Sequence, residues 1–146
     1  MVPFPRTIAR ICSLLAPTLL SGCQMGVDVA VTKVGDAVHF VVTRSGIHLG
    51  QSSPPCIDGL TIHRSGASQH HLGKWEISDT GARNCPSRFI YGRVPAGWSG
   101  WPDGTAPALE PGVTYTVEVS GPGLIGGTDF TMRAGDGRLT GGANDR

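Results

Sequence analysis

The sequence predicts an all-β fold, a single antiparallel β-sandwich of about seven short strands. Three features indicate this class: apolar and polar residues alternate over short segments, Gly- and Pro-rich turns separate those segments, and no helical periodicity follows residue 22. The alternation is clearest over 113–120, where one side carries Val113, Tyr115, Val117 and Val119. A segment of this kind forms a strand with one face on a core and one in water.

The predicted strands follow one another along the chain with turns between them. They cover residues 27–34, 37–43, 57–64, 72–78, 88–94, 113–120 and 128–134. The first two form a hairpin, because Gly35-Asp36 provides a turn. Residues 95–108 are a loop rich in Gly and Pro, and the polar, Gly-rich residues 135–146 are a disordered tail. The sandwich domain is therefore expected over 27–134.

Leu109, Pro111 and Tyr115 belong to a pattern, Leu-x-Pro-Gly-x-x-Tyr-x-Val-x-Val, that resembles the penultimate strand of fibronectin type III domains. In that family the Leu and the Tyr form a tyrosine corner, in which the ring is buried and the hydroxyl turns back to an upstream backbone group. The resemblance implies a fibronectin- or immunoglobulin-like sandwich with these three residues at such a corner. It covers one strand and its turn, and Phe40 stands where the family usually has a Trp. The alternative is an ordinary antiparallel strand with a Tyr on its core face.

Residues 1–22 have the organisation of a secretory leader. Arg6 and Arg10 occur without an acid in residues 1–10, and the apolar run over 11–20 is too short to span a bilayer. The motif that follows, Leu20-Ser21-Gly22-Cys23, resembles the lipobox of bacterial lipoproteins.

The lipobox resemblance implies cleavage before Cys23, lipidation of Cys23, and a short lipidated linker over 23–26. Each buried CH₂ of an acyl chain contributes about 0.8 kcal/mol of binding free energy, so the acyl chains would anchor the protein stably in membrane lipid. Gln24, which is not Asp, implies by the family's sorting rule an outer-membrane location in the bacterial cell envelope, facing the periplasm. The alternative is an ordinary secretory leader followed by a chance cysteine.

The lipoprotein interpretation also accounts for the four cysteines. Cys12 would leave with the leader and Cys23 would carry lipid, so Cys56 and Cys85 remain in an oxidising compartment. A disulfide between them is the expected outcome, and two free thiols are the alternative.

Charge and motif content argue against nucleic-acid binding and catalysis. The chain carries +1, and losing Arg6 and Arg10 with the leader lowers this by two, to −1, without leaving a basic stripe. The run 97–101 has its second Gly one position too early for a nucleophile elbow. No Gly-rich loop follows a strand and opens a helix. The prediction is a protein that is not an enzyme and holds no cofactor.

Histidines and tryptophans are the remaining candidates for a site. His63, His70 and His71, with His48, match no metal-ligand spacing, so a polar loop without metal is expected. Trp98 and Trp101 are candidate ligand-binding residues, because exposed indoles in a loop stack on sugars or contact a protein partner. The alternative is that the loop folds back and the tryptophans close one end of the sandwich.

Four further segments show a looser resemblance to known proteins. Trp75-Glu76-Ile77, Tyr91-Gly92, Pro95-Ala96-Gly97 and Gly121-Pro122-Gly123 are similar to segments of small uncharacterised envelope proteins of Proteobacteria, and this similarity implies no activity. The sequence therefore predicts a membrane-anchored envelope lipoprotein with a structural or interaction module. Its partners would be membrane lipid through Cys23 and an envelope protein or a glycan. The alternative function is a glycan- or small-ligand-binding module that uses the tryptophan loop.

Overall fold

The computed structural model describes residues 25–46, 53–66, 74–81, 84–102, 105–134 and 138–141. Over these ranges the chain is all-β without a helix, which confirms the predicted class. In the same ranges no helix is long and apolar enough to cross a membrane. The strands within them are β1 (Met25–Val34), β2 (Ala37–Arg44), β3 (Gly59–Arg64), β4 (Trp75–Asp79), β5 (Arg88–Ile90), β6 (Trp98–Trp101), β7 (Thr114–Gly121), β8 (Leu124–Met132) and β9 (Leu139–Thr140).

The strands form one curled, mixed sheet with the shape of a half-barrel. A continuous path of hydrogen bonds joins them in the order β5-β2-β1-β8-β7-β3-β4-β6, and β9 pairs with β8. The β1–β8 pair is parallel, whereas every neighbouring pair around it is antiparallel. This arrangement differs from the predicted antiparallel sandwich of about seven strands. Alternation has the same period in parallel and antiparallel strands, so it could not reveal how distant segments pair.

The parallel junction divides the sheet into two arms. Only three register pairs join β1 to β8, from Met25↔Leu124 to Val27↔Gly126. Gly126 is needed there, because an added Cβ would lie far inside contact distance of the Val27 carbonyl oxygen. Beyond the junction β1 continues along β2, and the end of β8 pairs with β9. The short arm is therefore β5-β2-β1 and the long arm is β8-β7-β3-β4-β6.

Apolar side chains between the two arms make the hydrophobic core. The predicted inward residues of β1, β2, β3, β4 and β7 are buried, as alternation required. Phe40 of the short arm meets Phe130 of the long arm edge to face, with ring centroids 5.8 Å apart. Phe89 and Trp98 make a similar contact at 5.5 Å between the two outermost strands, β5 and β6. The curl thus brings the ends of the sheet together over the core.

A disulfide joins Cys56 to Cys85 and confirms the predicted pair. Cys56 precedes β3 in the long arm and Cys85 precedes β5 in the short arm, so the bond ties the two arms together. It closes a segment with a sequence separation of 29. The chain-entropy model gives such a bond about 3–4 kcal/mol of stabilisation.

Several predicted boundaries are corrected by the structure. β6 lies in the predicted loop over 95–108 and β9 in the predicted tail, because each gains hydrogen bonds from a distant strand. β5 ends at Ile90, since Tyr91-Gly92 form a turn in which Gly92 has φ 76. β8 begins at Leu124 because Pro122 and Gly123 form a tight hairpin turn.

The first strand also begins earlier than predicted. β1 begins at Met25, within the predicted linker over 23–26, and the Met25 N–H donates to the Gly123 carbonyl oxygen at 2.9 Å. The predicted leader over 1–22 and Cys23 lie outside the described residues.

Candidate functional site

The outer face of the long arm carries a row of side chains that runs straight across five strands. Alternate residues of these strands point away from the core, and register partners share a face. The row consists of successive partners Gly127, Glu118, Thr61, Glu76 and Trp101. We call it the glutamate row, because two carboxylates occupy it and an indole ends it.

A second row beside it contains small side chains. It runs through Ile125, Ser120, Gly59, Ser78 and Ser99, again as successive register partners. Four of its five members are glycine or serine, and a depression of about 710 Å³, lined by residues of both rows, lies on this part of the outer face. We call this depression the outer groove.

Hydrogen-bonding groups line the outer groove on both sides. Ser78, which lines the groove, has its hydroxyl 3.1 Å from that of Ser99 in the neighbouring strand, and the Ser120 hydroxyl donates to Asp58 Oδ1 at 3.2 Å. Thr61 and Glu76 contribute a further hydroxyl and carboxylate to the lining. The groove therefore presents several acceptors and rotatable donors to a polar ligand.

The two glutamates of the row have different basic neighbours. Glu76 Oε2 lies 2.7 Å from Lys74 Nζ. Glu118 Oε1 lies 3.8 Å from His63 Nε2, a nitrogen that is buried and has no hydrogen-bond partner. His63 Nδ1 lies 3.1 Å from the Arg64 carbonyl oxygen, which can only accept, so Nδ1 is the protonated nitrogen in this contact.

The hydroxyls near His63 are arranged as a structural network. Thr116 donates to Asp129 Oδ1 at 2.6 Å, and the Ser65 hydroxyl lies 2.8 Å from the Thr116 hydroxyl. His63 directs its Nδ1 to a backbone carbonyl and not to Ser65. The contacts of a base-activated nucleophile are therefore not present at this cluster.

The two predicted ligand-binding tryptophans do not form one surface. They stand three residues apart in β6, so their side chains point to opposite faces of the strand. Trp98 is 8% exposed and donates from Nε1 to Asn84 Oδ1 at 3.0 Å. Trp101 is 59% exposed on the outer face. The paired surface is thus corrected: Trp98 closes the core, the alternative predicted for this segment, and only Trp101 presents its indole.

Leu109, Pro111 and Tyr115, the residues of the predicted tyrosine corner, lie in β7 and in the turn before it. Tyr115 is 3% exposed, and its hydroxyl accepts a hydrogen bond from the Glu110 N–H, five residues upstream, at 2.9 Å. Leu109 packs against the core and Pro111 is exposed in the turn before β7. These residues support the fold and take no part in the outer groove.

A second tyrosine contact lies under the loop between β6 and β7. The Tyr91 hydroxyl donates to the Pro107 carbonyl oxygen at 2.6 Å, and its ring meets the buried Trp75 edge to face at 5.0 Å. Burial, with a smaller contribution from Tyr115, raises the pKa of the Tyr91 phenol above its ordinary value. A phenol with its ordinary pKa is already protonated at neutral pH, so the raised pKa keeps the Tyr91 hydroxyl a donor at higher pH as well.

The predicted histidine group can be assessed only in part. His63 is described, whereas His48, His70 and His71 lie outside the described residues. Among the residues that are described, no three His, Cys, Asp or Glu side chains are grouped to hold a metal ion.

Sequence reasoning did not identify the glutamate row or the outer groove. The alternation of Glu76 and Glu118 with apolar neighbours placed each on an outward face, but it did not indicate that they share one row. That depends on register across four strand pairs. No known protein-family model, curated protein or solved structure matches this chain.

Proposed function

We propose that this chain is a lipid-anchored binding module of the bacterial envelope that acts close to the membrane and without catalysis. The lipobox-like motif Leu20-Ser21-Gly22-Cys23 is the observation that carries the proposal. The start of β1 at Met25 adds to it, since Gln24 alone separates Cys23 from the folded domain. One extended residue spans about 3.5 Å, so an anchored domain would lie against the lipid surface.

Two further observations support this location. The disulfide between Cys56 and Cys85 suits an oxidising compartment such as the periplasm. Gln24 favours the outer membrane under the sorting rule of lipoproteins.

The anchor is tested by expressing the full chain in a Gram-negative bacterium. We expect the protein in the membrane fraction, and mass spectrometry should find an N-terminal peptide that begins at lipid-modified Cys23. The control is Cys23→Ala, which should be neither lipidated nor cut at this position. An unmodified peptide that begins elsewhere would refute the anchor.

The interaction role is tested by cross-linking in intact envelopes with a C-terminal tag on the chain. A discrete protein partner that is recovered with the natural chain and lost with Cys23→Ala supports a membrane-proximal interaction module. Failure to recover a partner from either form would count against that role.

A second candidate function is recognition of a glycan through the outer groove and Trp101. The specific observation is an indole with 59% exposure that is the register partner of Glu76, which lines the groove. Indole faces stack on sugar rings, while carboxylates and hydroxyls bond to sugar hydroxyls. The groove lies on the outer face, so a polymeric ligand could bind without disturbing the core.

Tryptophan fluorescence can test this second function. Trp75 and Trp98 are buried, so a ligand that covers Trp101 should change the component of the emission that is accessible to a quencher. Peptidoglycan fragments and a set of neutral oligosaccharides are the probes. Binding by the variants is measured by calorimetry, because Trp101→Ala removes the accessible indole that reports binding. Trp101→Ala and Glu76→Gln should abolish or weaken binding, whereas Val34→Ala, at an exposed apolar residue of the short arm, should not. Equal binding by Trp101→Ala would refute the role of the indole.

We also infer that the fold is related in architecture to fibronectin type III domains. The contact between Tyr115 and the Glu110 N–H supports this relation. The single curled sheet, with its parallel β1–β8 junction, marks the departure from that family's two antiparallel sheets.

A further inference from the structure

The hydrogen-bonded path of the sheet ends at two strands, β5 in the short arm and β6 in the long arm, and each has one edge that pairs with no described strand. An unpaired edge accepts a further strand unless charge, proline or a local bond protects it. β5 carries the charge of Arg88, and its Ile90 carbonyl oxygen accepts from the Arg93 N–H at 3.0 Å. β6, with the sequence Trp-Ser-Gly-Trp, carries no charge. The free edge of β6 is therefore the less protected of the two.

The register with β4 decides which backbone groups of β6 point to its free edge. The Thr80 N–H donates to the Gly97 carbonyl oxygen at 3.1 Å, directly before the first register pair of β6. Because bonded and non-bonded pairs alternate in an antiparallel ladder, Trp98 and Gly100 direct their N–H and C=O groups away from β4. The Trp98 N–H agrees with this, since it donates to the Pro95 carbonyl oxygen at 3.1 Å. The Trp98 carbonyl and both backbone groups of Gly100 are then left without a hydrogen-bond partner among the described residues.

We propose that the free edge of β6 binds an extended segment of a partner protein as an added antiparallel strand. One residue of that segment would lie opposite Gly100 and exchange two hydrogen bonds with it, and a residue two positions along would donate to the Trp98 carbonyl oxygen. All three unpaired groups would then be satisfied. The proposal names the surface for the protein-interaction role proposed above and rests on that role, but it does not depend on the lipid anchor.

Trp101 gives the added strand a side-chain contact. Its indole is 59% exposed on the outer face, and the partner residue opposite Trp101 would project from that same face. Gly100 has no side chain to hold the added strand away from the edge. Aromatic and β-branched residues make favourable cross-strand pairs with an aromatic ring. The partner segment is therefore expected to carry an aromatic or β-branched residue opposite Trp101.

A second copy of this chain fits the free edge of β6 less well than a foreign strand does. In a two-fold antiparallel pair centred on Gly100, the Trp98 carbonyl would lie opposite Pro102, which has no N–H. If the pair is shifted so that Trp98 lies opposite Gly100, the Gly100 carbonyl would need the Trp98 N–H, which already donates to Pro95. Each arrangement leaves one of the three groups unpaired in both copies, so a different chain is the better occupant.

The test uses the full chain purified in a non-ionic detergent, and the probe is a displayed library of random linear peptides. Selected peptides are synthesised and titrated by calorimetry. We expect Gly100→Pro to weaken their binding at least about tenfold, because proline removes the N–H that faces the partner while the bonds to β4 remain. Arg88→Pro is the matched control and should bind like the natural protein, because the Arg88 N–H faces the free edge of β5 in the same way.

Amide hydrogen exchange of the natural protein, measured by NMR, keeps the proposal falsifiable if Gly100→Pro does not fold. The Gly100 amide should exchange at least about tenfold more slowly when a selected peptide is bound, whereas exchange of the Arg88 amide should not change. These measurements are made without an envelope, so their failure is distinguishable from a failure to recover a partner by cross-linking.

Four results would overturn the proposal. The first is that the library yields no binding peptide, and the second is a bound peptide that leaves exchange of the Gly100 amide unchanged. The third is a folded Gly100→Pro variant that binds no more weakly than Arg88→Pro. The fourth is protection of the Gly100 amide that rises with protein concentration in the absence of peptide, because the occupant of the edge would then be a second copy of this chain.

Discussion

Replacing Tyr115 with phenylalanine removes one hydroxyl and leaves the packing of the ring in place. The ring would remain buried and stacked on Phe130, whose centroid is 5.7 Å away. The Glu110 N–H would lose its acceptor, which lies at 2.9 Å in the native protein. Tyr115→Phe therefore isolates one hydrogen bond between a side chain and the backbone.

The magnitude follows from the surroundings of that bond. An amide left unpaired in a buried site costs about 1–3 kcal/mol. The contact is only partly buried, so we expect the lower part of this range, about 1–2 kcal/mol. Tyr115→Ala also removes the stacked ring and should cost about 3–5 kcal/mol. The difference between the two variants separates the packing of the ring from the hydrogen bond of the hydroxyl.

Urea denaturation of the oxidised protein, followed by circular dichroism, measures both free energies of unfolding. The urea concentration at the midpoint should be lower for Tyr115→Phe, while the slope of the unfolding free energy against urea stays unchanged. Tm should fall by about 3–5 °C for each kcal/mol of lost stability. A Tyr115→Phe stability within about 0.3 kcal/mol of the natural protein would refute the reasoning, because the Glu110 N–H would then be satisfied by water.

Three further predictions follow from the same structure. Replacing both Cys56 and Cys85 with alanine should lower the free energy of unfolding by about 3–4 kcal/mol. A natural protein whose urea midpoint does not change when a reductant is added would contradict this. Gly126→Ala should destabilise the junction with β1, because its Cβ would meet the Val27 carbonyl; an unchanged Tm would mean that the strands separate without penalty. The pKa of Tyr91 is raised in the folded protein, so its phenol ionises first in the unfolded chain. The folded state is therefore fully stabilised by this group below about pH 10, the ordinary phenol pKa, and loses that stabilisation at higher pH. Urea midpoints between pH 8 and 11 should therefore decline less steeply for Tyr91→Phe, and parallel curves would exclude this residue as the cause.

Local alternation determined which face of each strand enters the core. Val29 and Phe40 are buried where period 2 required it, and Trp75 takes its predicted inward position. Side-chain direction along a strand depends only on neighbouring backbone geometry, which is why these positions could be predicted without the fold. The Cys56–Cys85 bond was predictable as well, because only two cysteines remained after the lipobox interpretation assigned the others.

Tertiary structure alone decided how the strands are ordered and what they bring together. β6 exists because β4 offers it hydrogen bonds, and its formation buries Trp98 while it exposes Trp101. The glutamate row joins Glu118 and Glu76 through Thr61. Pairing between distant strands is selected by burial of the whole core and by satisfaction of all backbone hydrogen bonds together. No single segment contains that information, so the faces of the strands could be predicted from the sequence, whereas the glutamate row emerged only in the folded sheet.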